Sequence, residues 1–226
     1  MEATMRTTKS KSDKRQALNP QAFLDSANIQ RRVQKFEESQ EVYTQGDPAT
    51  SVMYIQEGRI KLSVVNEAGK EAIVGILGPG DFLGEGCLAN QMLRTGTATA
   101  LMATTVTVIQ KNEMVRAIRS ERALPDLFMS YLLSRNLRTQ EDLIDQLFNT
   151  SEKRLARALL LLTGYGKQEV PEMMLPKISQ EMLAEMVGTT RPRVSVFMNK
   201  FKKMGFIEYE GGLQIKPSLL NVLLQE

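Results

Sequence analysis

The stretch Gly80 to Ala98, GDFLGEGCLANQMLRTGTA, gathers residues that could do chemistry on an anion. Gly84 and Gly86 flank a lone carboxylate, Glu85, and nine residues further on Arg94 is followed by Thr95, Gly96 and Thr97. Glycines let a backbone approach closely, a guanidinium presents a planar fork to a charged oxygen, and a carboxylate accepts from hydroxyls. Together they could grip an anionic ligand that also carries hydroxyl groups. The same residues could equally form a loop with an ion pair between Arg94 and Glu85.

Composition removes the competing chemistries. The 226 residues include one cysteine and no histidine. That excludes histidine-ligated zinc or haem, a Ser-His-Asp triad and any cysteine-ligated cluster built by this chain alone. No cluster of acid, base and nucleophile stands out, so no enzyme is expected, and no metal or covalent cofactor. A single thiol forms no internal disulfide and fits a cytoplasmic setting. No apolar run reaches membrane-spanning length, and the opening residues lack the apolar centre of a signal peptide. Residues 1–28 read as a disordered tail carrying Arg6, Lys9, Lys11, Lys14 and Arg15, either simply solvated or touching nucleic acid. Net charge is only +3, so a strongly basic surface must be local.

The elements that must position the anion-gripping segment are strands. From Val42 to Gln110, short stretches such as Ser51–Gln56, Arg59–Val65 and Ala72–Leu77 are separated by turn signals including Gly46-Asp47-Pro48, Glu57-Gly58 and Gly78-Pro79-Gly80-Asp81. Close turn spacing predicts a sandwich or small barrel. Alternation over Arg59–Val65 predicts Ile60, Leu62 and Val64 inward and Arg59, Lys61 and Ser63 outward. After Lys111 the pattern turns helical, over Glu113–Ser120 and then from Pro125 to about Asn149. In the longer helix Leu133, Leu137, Ile144 and Leu147 form an apolar seam, with Gln140 at the vacant seam position. Such a seam seeks a second copy of the chain or its own β-unit; the dimer is the expectation.

Residues 151–226 read as a separate helical module. Ser151 is expected to cap a helix that stops at Gly164. Beyond the Pro171–Pro176 link, Ser179 caps Gln180–Val187, with Glu181 at its positive end. Gly188 breaks the chain, Thr189-Thr190 caps a third helix running to about Met204, and Gly211-Gly212 turns a hairpin. Helix, glycine turn, helix and hairpin describe a winged helix-turn-helix. Val194, Phe197, Met198 and Phe201 fall on one buried stripe of the third helix. Pro192, Ser195, Val196, Asn199 and Lys203 face away from it, led by Arg191 and Arg193. Gly188 to Met204 holds five basic residues and no acid, the character of a helix that enters the major groove of DNA.

This order of parts resembles the CRP/FNR family of bacterial transcription regulators, from about residue 30 to the end. FLGEGCLANQMLRTGTA is similar to the family's phosphate-binding cassette, and ISQEMLAEMVGTTRPRVSVFMNKFKKMGFIEYEGGLQI to its DNA-binding element. The resemblance implies an α+β chain: an N-terminal double-stranded β-roll (29–112), a helical segment with a long dimerisation helix (113–150), and a C-terminal winged helix-turn-helix (151–226). It implies cyclic AMP as the ligand, with Glu85 on the ribose 2′-hydroxyl, Arg94 on the cyclic phosphate, Thr95 beside it, Gly84 offering backbone and Thr139 bonding adenine. Gly86-Cys87 stands where a larger apolar residue follows Gly-Glu, Gly96 where alanine is usual, and Gln140 where the partner subunit's serine would be. Phosphate and ribose recognition follow from the match; base identity does not. Gly86 and Cys87 complete the ligand-binding set with Gln140, Cys87 as a small packing residue rather than a sensor.

The function implied is a homodimer that binds a palindromic operator, with RNA polymerase as a further partner and no membrane association. Ser179, Gln180, Thr190, Arg191, Pro192, Arg193, Ser195, Val196, Asn199, Lys200 and Lys203 form the DNA surface. Two alternatives stand beside it: the same regulator without cyclic-nucleotide control, and a nucleotide-sensing regulatory subunit of an enzyme.

Overall fold

The computed structural model describes residues 29–120, 124–163, 178–209 and 212–224. The basic tail, the stop at Gly164, the Pro171–Pro176 link and Gly211 of the hairpin turn lie outside these residues.

Eight strands form two antiparallel four-stranded sheets. One runs in the order β1 (Arg31–Phe36), β8 (Thr104–Gln110), β3 (Ser51–Glu57), β6 (Phe82–Leu83). The other runs β2 (Glu41–Tyr43), β7 (Thr97–Ala100), β4 (Ile60–Val65), β5 (Glu71–Leu77). Strand β3 is apolar on both faces because each covers a different core. Met53 and Ile55 meet Phe36, Leu83, Ala98 and Val106 between the sheets. Val52 and Tyr54 join Phe82, Ile109, Met114 and Phe128, where helices α1 (Lys111–Ser120) and α2 (Leu124–Phe148) cover the first sheet. A strand buried on both faces loses its period-two signature.

Strand β4 departs from the expected alternation. Ile60 and Leu62 point into the roll, yet Ser63 is only 2% exposed on the face expected to be solvated. The helical domain lies on that face: Ile76 of β5 packs into its core, and Arg59 donates to Leu162 O at 3.3 Å. Lys61 and Glu71 pair beneath it at 2.8 Å. Opposite Leu62 and Ser63 the register of β5 skips Val74, a bulge that increases local twist.

Helix α2 packs its first turns, Leu124, Leu127 and Phe128, on the roll. Its later half leaves the seam bare: Leu137 is 59% and Ile144 56% exposed, and Leu133 and Leu147 are exposed as well. The helical domain contains α3 (Ser151–Leu162), α4 (Gln180–Val187), α5 (Arg191–Lys203), the short hairpin β9 (Ile207–Glu208) and β10 (Gln214–Ile215), and α6 (Leu220–Leu224). Thr150, not Ser151, caps α3: its hydroxyl accepts from Lys153 N, while Ser151 is buried in the first turn. Two adjacent hydroxyl residues suit the cap equally in sequence, and packing of the first turn chooses between them. Among the described residues no helix is long and apolar enough to cross a membrane.

Candidate functional site

The segment after β6 is shaped by its glycine. Gly84 has φ 75°, a left-handed conformation, and a Cβ there would sit 2.3 Å from Arg94 Nη1 and 3.0 Å from Ser51 O. Glu85 then opens a 3-10 turn, Glu85–Ala89, closed by Asn90 at φ 63°. Gly84→Ala is therefore expected to destabilise the chain by about 1–3 kcal/mol from backbone strain alone, measurable by urea unfolding, and to push Arg94 from its place.

Arg94 is held by its backbone and by its side chain. Its N–H donates to Asp47 O at 2.8 Å and its carbonyl accepts from Gly46 N at 2.9 Å, so the 44–49 turn clasps it. The guanidinium is turned inward and the residue is 7% exposed. Nη1 donates to Gly84 O at 2.9 Å, and Nη2 to Ser51 O at 2.8 Å and Ser51 Oγ at 3.2 Å. Its Cζ lies 4.4 Å from the centroid of the Tyr43 ring. Nε is buried and bonded to nothing among the described residues. A buried donor left over beside two satisfied ones suits an acceptor brought by a ligand.

The expected alternative, an ion pair between Arg94 and Glu85, is not formed. Glu85 pairs with Arg135 of α2 at 2.8 Å. Arg135 Nη1 also donates to Phe82 O at 2.9 Å and reaches Tyr131 OH at 3.3 Å. The Tyr131 hydroxyl accepts from Phe82 N and donates to Phe82 O, so two residues one turn apart on α2 clamp β6 just before the cassette. Burial alone would lower the Arg135 pKa, but Glu85 and Tyr131 outweigh it and the net shift is upward. The clamp ties the start of the cassette to α2. Arg135 escaped the sequence reading, although it lies four residues before Thr139 and shares its helix face.

The other expected site residues are less engaged. Thr95 and Gln140 are exposed. Thr139 is exposed too, and its hydroxyl donates to Arg135 O at 3.0 Å within its own helix. Gly86 lies against Gln91, whose carboxamide a Cβ would strike. Cys87 is fully buried in the core beneath the cassette, where burial pushes its thiol pKa up. Gly96 is explained by backbone proximity, since a Cβ there would lie 2.6 Å from Ser63 O.

In the helical domain Ser179 caps α4 by accepting from Met182 N at 3.1 Å, with Gln180 behind it, and Gly188 closes the helix at φ 68°. Thr190 occupies the cap position of α5, but its hydroxyl makes no capping bond, contrary to expectation. Its extended φ of −108° and Pro192 in the first turn carry the chain into the helix without one. Val194, Met198 and Phe201 are buried; Phe197 is only half-buried, with the Arg193 guanidinium 5.9 Å from its ring centroid. The opposite face presents Pro192, Val196 (64% exposed), Asn199 and Lys203, with Ser195 partly covered. Arg191 pairs with Glu181 at 2.9 Å, and Lys200 with Glu152 of α3 at 2.7 Å.

Comparison with known proteins matches both halves. Residues 33–121 match the cyclic nucleotide-binding domain and residues 153–217 the Crp-like helix-turn-helix domain, together more than half of the chain. The CRP-like cAMP-activated global transcriptional regulator of Mycobacterium tuberculosis is 27% identical over 172 residues, 75% of this chain and 77% of that protein. The cyclic AMP receptor protein of Thermus thermophilus is 27% identical over 194 residues, 85% of this chain and 86% of that protein. Among solved structures, the c-di-GMP-responsive global regulator CLP of Xanthomonas campestris superposes with a TM-score of 0.68 at 21% identity, covering 88% of this chain and 97% of that one.

Proposed function

This chain belongs to the CRP/FNR family of transcription regulators, and from that premise we propose a homodimer that binds a palindromic operator under the control of cyclic AMP. The family is one of regulators and not of enzymes, which sets aside the enzyme-subunit alternative. The observation that carries the ligand reading is Arg94: a buried guanidinium with no carboxylate partner among the described residues and with Nε unmatched. A cyclic phosphate is a single anion, which one guanidinium and nearby backbone donors suffice to hold. Glu85 accepts the ribose 2′-hydroxyl while keeping Arg135, and Gly84, Gly86 and Thr95 line the approach. Thr139 and Gln140 sit toward the base. Both cyclic-AMP-named relatives support this ligand. Isothermal titration tests it: one cyclic AMP per chain is expected, and no heat at any concentration refutes it.

A second reading keeps the anion site and changes the ligand. Gln140 at the base end, and a structural neighbour described as c-di-GMP-responsive, favour it. Competition by other cyclic nucleotides for the same site distinguishes the two.

DNA is met by α5. Arg191 reads one guanine through O6 and N7, Pro192 offers no acceptor to cytosine N4, and Val196 presents only a methyl surface, which suits a thymine methyl. The Arg191–Glu181 pair is exposed and opens at little cost. Lys203 and Arg193 meet phosphate, and Ser179, Gln180, Thr190, Ser195 and Asn199 flank the groove. Lys200, already paired with Glu152, contributes least. RNA polymerase is the partner that such a regulator acts on. Arg191→Ala is expected to cost about 1–3 kcal/mol and to relax preference at one base pair, whereas Lys203→Ala weakens all sequences alike; binding to a panel of singly substituted operators checks both.

A further inference from the structure

We propose that Tyr43 is a positioning residue of the anion site, whose ring holds the Arg94 guanidinium in the orientation that receives the phosphate. This rests on reading the cassette as an anion site. Tyr43 ends β2, a strand of three residues whose register on β7 is broken: Glu41 faces Thr99 and Tyr43 faces Ala98, so Val42 is an extra residue. A bulge re-aims the side chain that follows it. Here the re-aimed ring lies over Arg94, with Cζ 4.4 Å from its centroid.

The guanidinium needs such support. Its two Nη groups donate to the carbonyls of Gly84 and Ser51. No carboxylate pairs with it among the described residues, and Nε is left over. An aromatic face over a desolvated cation offsets the lost hydration without consuming a donor. It leaves Nε without a protein acceptor, where a carboxylate in the same place would have saturated the fork and repelled an anion. The Tyr43 hydroxyl makes no hydrogen bond among the described residues. Burial pushes its pKa up to about 12, against the pull of Arg94, while Glu85 and Arg135 act on it more weakly in opposite senses. The ring is therefore neutral at physiological pH and adds no charge to compete with a ligand.

The alternative is that Tyr43 only fills the roll, where it touches the core between the sheets. The experiment separates the two in the full-length protein by titrating cyclic AMP, and adenosine as the uncharged probe, into wild type, Tyr43→Phe, Tyr43→Leu and Tyr43→Ile. Tyr43→Phe keeps the ring and is expected to bind like wild type. The two aliphatic variants are expected to lose about thirtyfold in cyclic AMP affinity, the scale of one desolvated cation–π contact, with adenosine affinity unchanged. In an Arg94→Leu background Tyr43→Leu should have no further effect, since the coupled partner is gone. Thermal unfolding identifies an aliphatic variant that is not folded, and the other then stands for it. Equal loss in Tyr43→Phe, equal loss for adenosine, or no loss in the aliphatic variants overturns the role of the ring. If wild type itself binds no cyclic AMP, the anion-site reading falls and this inference with it.

Discussion

Arg94→Leu is expected to lower cyclic AMP affinity by roughly two to three orders of magnitude. Truncating one partner of a buried, hydrogen-bonded charge pair costs about 2–5 kcal/mol, and each 1.4 kcal/mol or so is tenfold in affinity. The cost is not confined to binding. Ser51 O would lose its side-chain donor, at about 1–3 kcal/mol for a buried group left unpaired, while Gly84 O would keep only the 3.4 Å bond from Cys87 N. The variant should therefore unfold at lower urea concentration as well as bind less, and titration must be run where it remains folded. Glu85→Ala should weaken binding less, because Glu85 offers one acceptor to a hydroxyl and already spends charge on Arg135. A folded Arg94→Leu protein with unchanged affinity would remove the phosphate from this site.

The second large effect concerns assembly. Leu137 and Ile144 stand exposed on α2, seven residues apart, with Leu133 and Leu147 extending the stripe. Exposed leucines in register along one helix face mark a surface meant for another helix. Replacing both with glutamate would bury four like charges across a two-fold interface, a desolvation cost of several kcal/mol per ion before repulsion is added. Sedimentation should show monomers at micromolar concentration. Operator affinity should fall by at least about a hundredfold, since a single domain loses the effective concentration that joins two half-sites. A double variant that sediments as a dimer would place the interface elsewhere.

Much of this was legible because it is local. Turn residues bracket strands that form within a residue or two of expectation, Ser179 and Gly188 bound α4 as their chemistry requires, and Glu85 and Arg94 stand out as charges among glycines. What was hidden depends on residues far apart in the chain. The partner of Glu85 is Arg135, fifty residues away, so an ion pair within the cassette looked as plausible as any. Ser63 and Lys61 alternate as solvated residues should, yet Ser63 is buried, and Ile76, the register partner of Lys61, packs into the core of the helical domain. Nothing in the sequence singles out Tyr43; the bulge at Val42 aims it at Arg94. Local choices between equals, Thr150 or Ser151 as the cap, were decided by packing of the helix they begin.

One small anion, held by Arg94, is expected to change how α5 meets DNA. The most direct measurement is the affinity of the purified full-length protein for an operator selected from random DNA, by fluorescence anisotropy, at zero and saturating cyclic AMP. A coupling of about tenfold or more is predicted, within the range usual for linked sites, and it should vanish in Arg94→Leu. Equal operator affinity of the wild-type protein with and without cyclic AMP would contradict it.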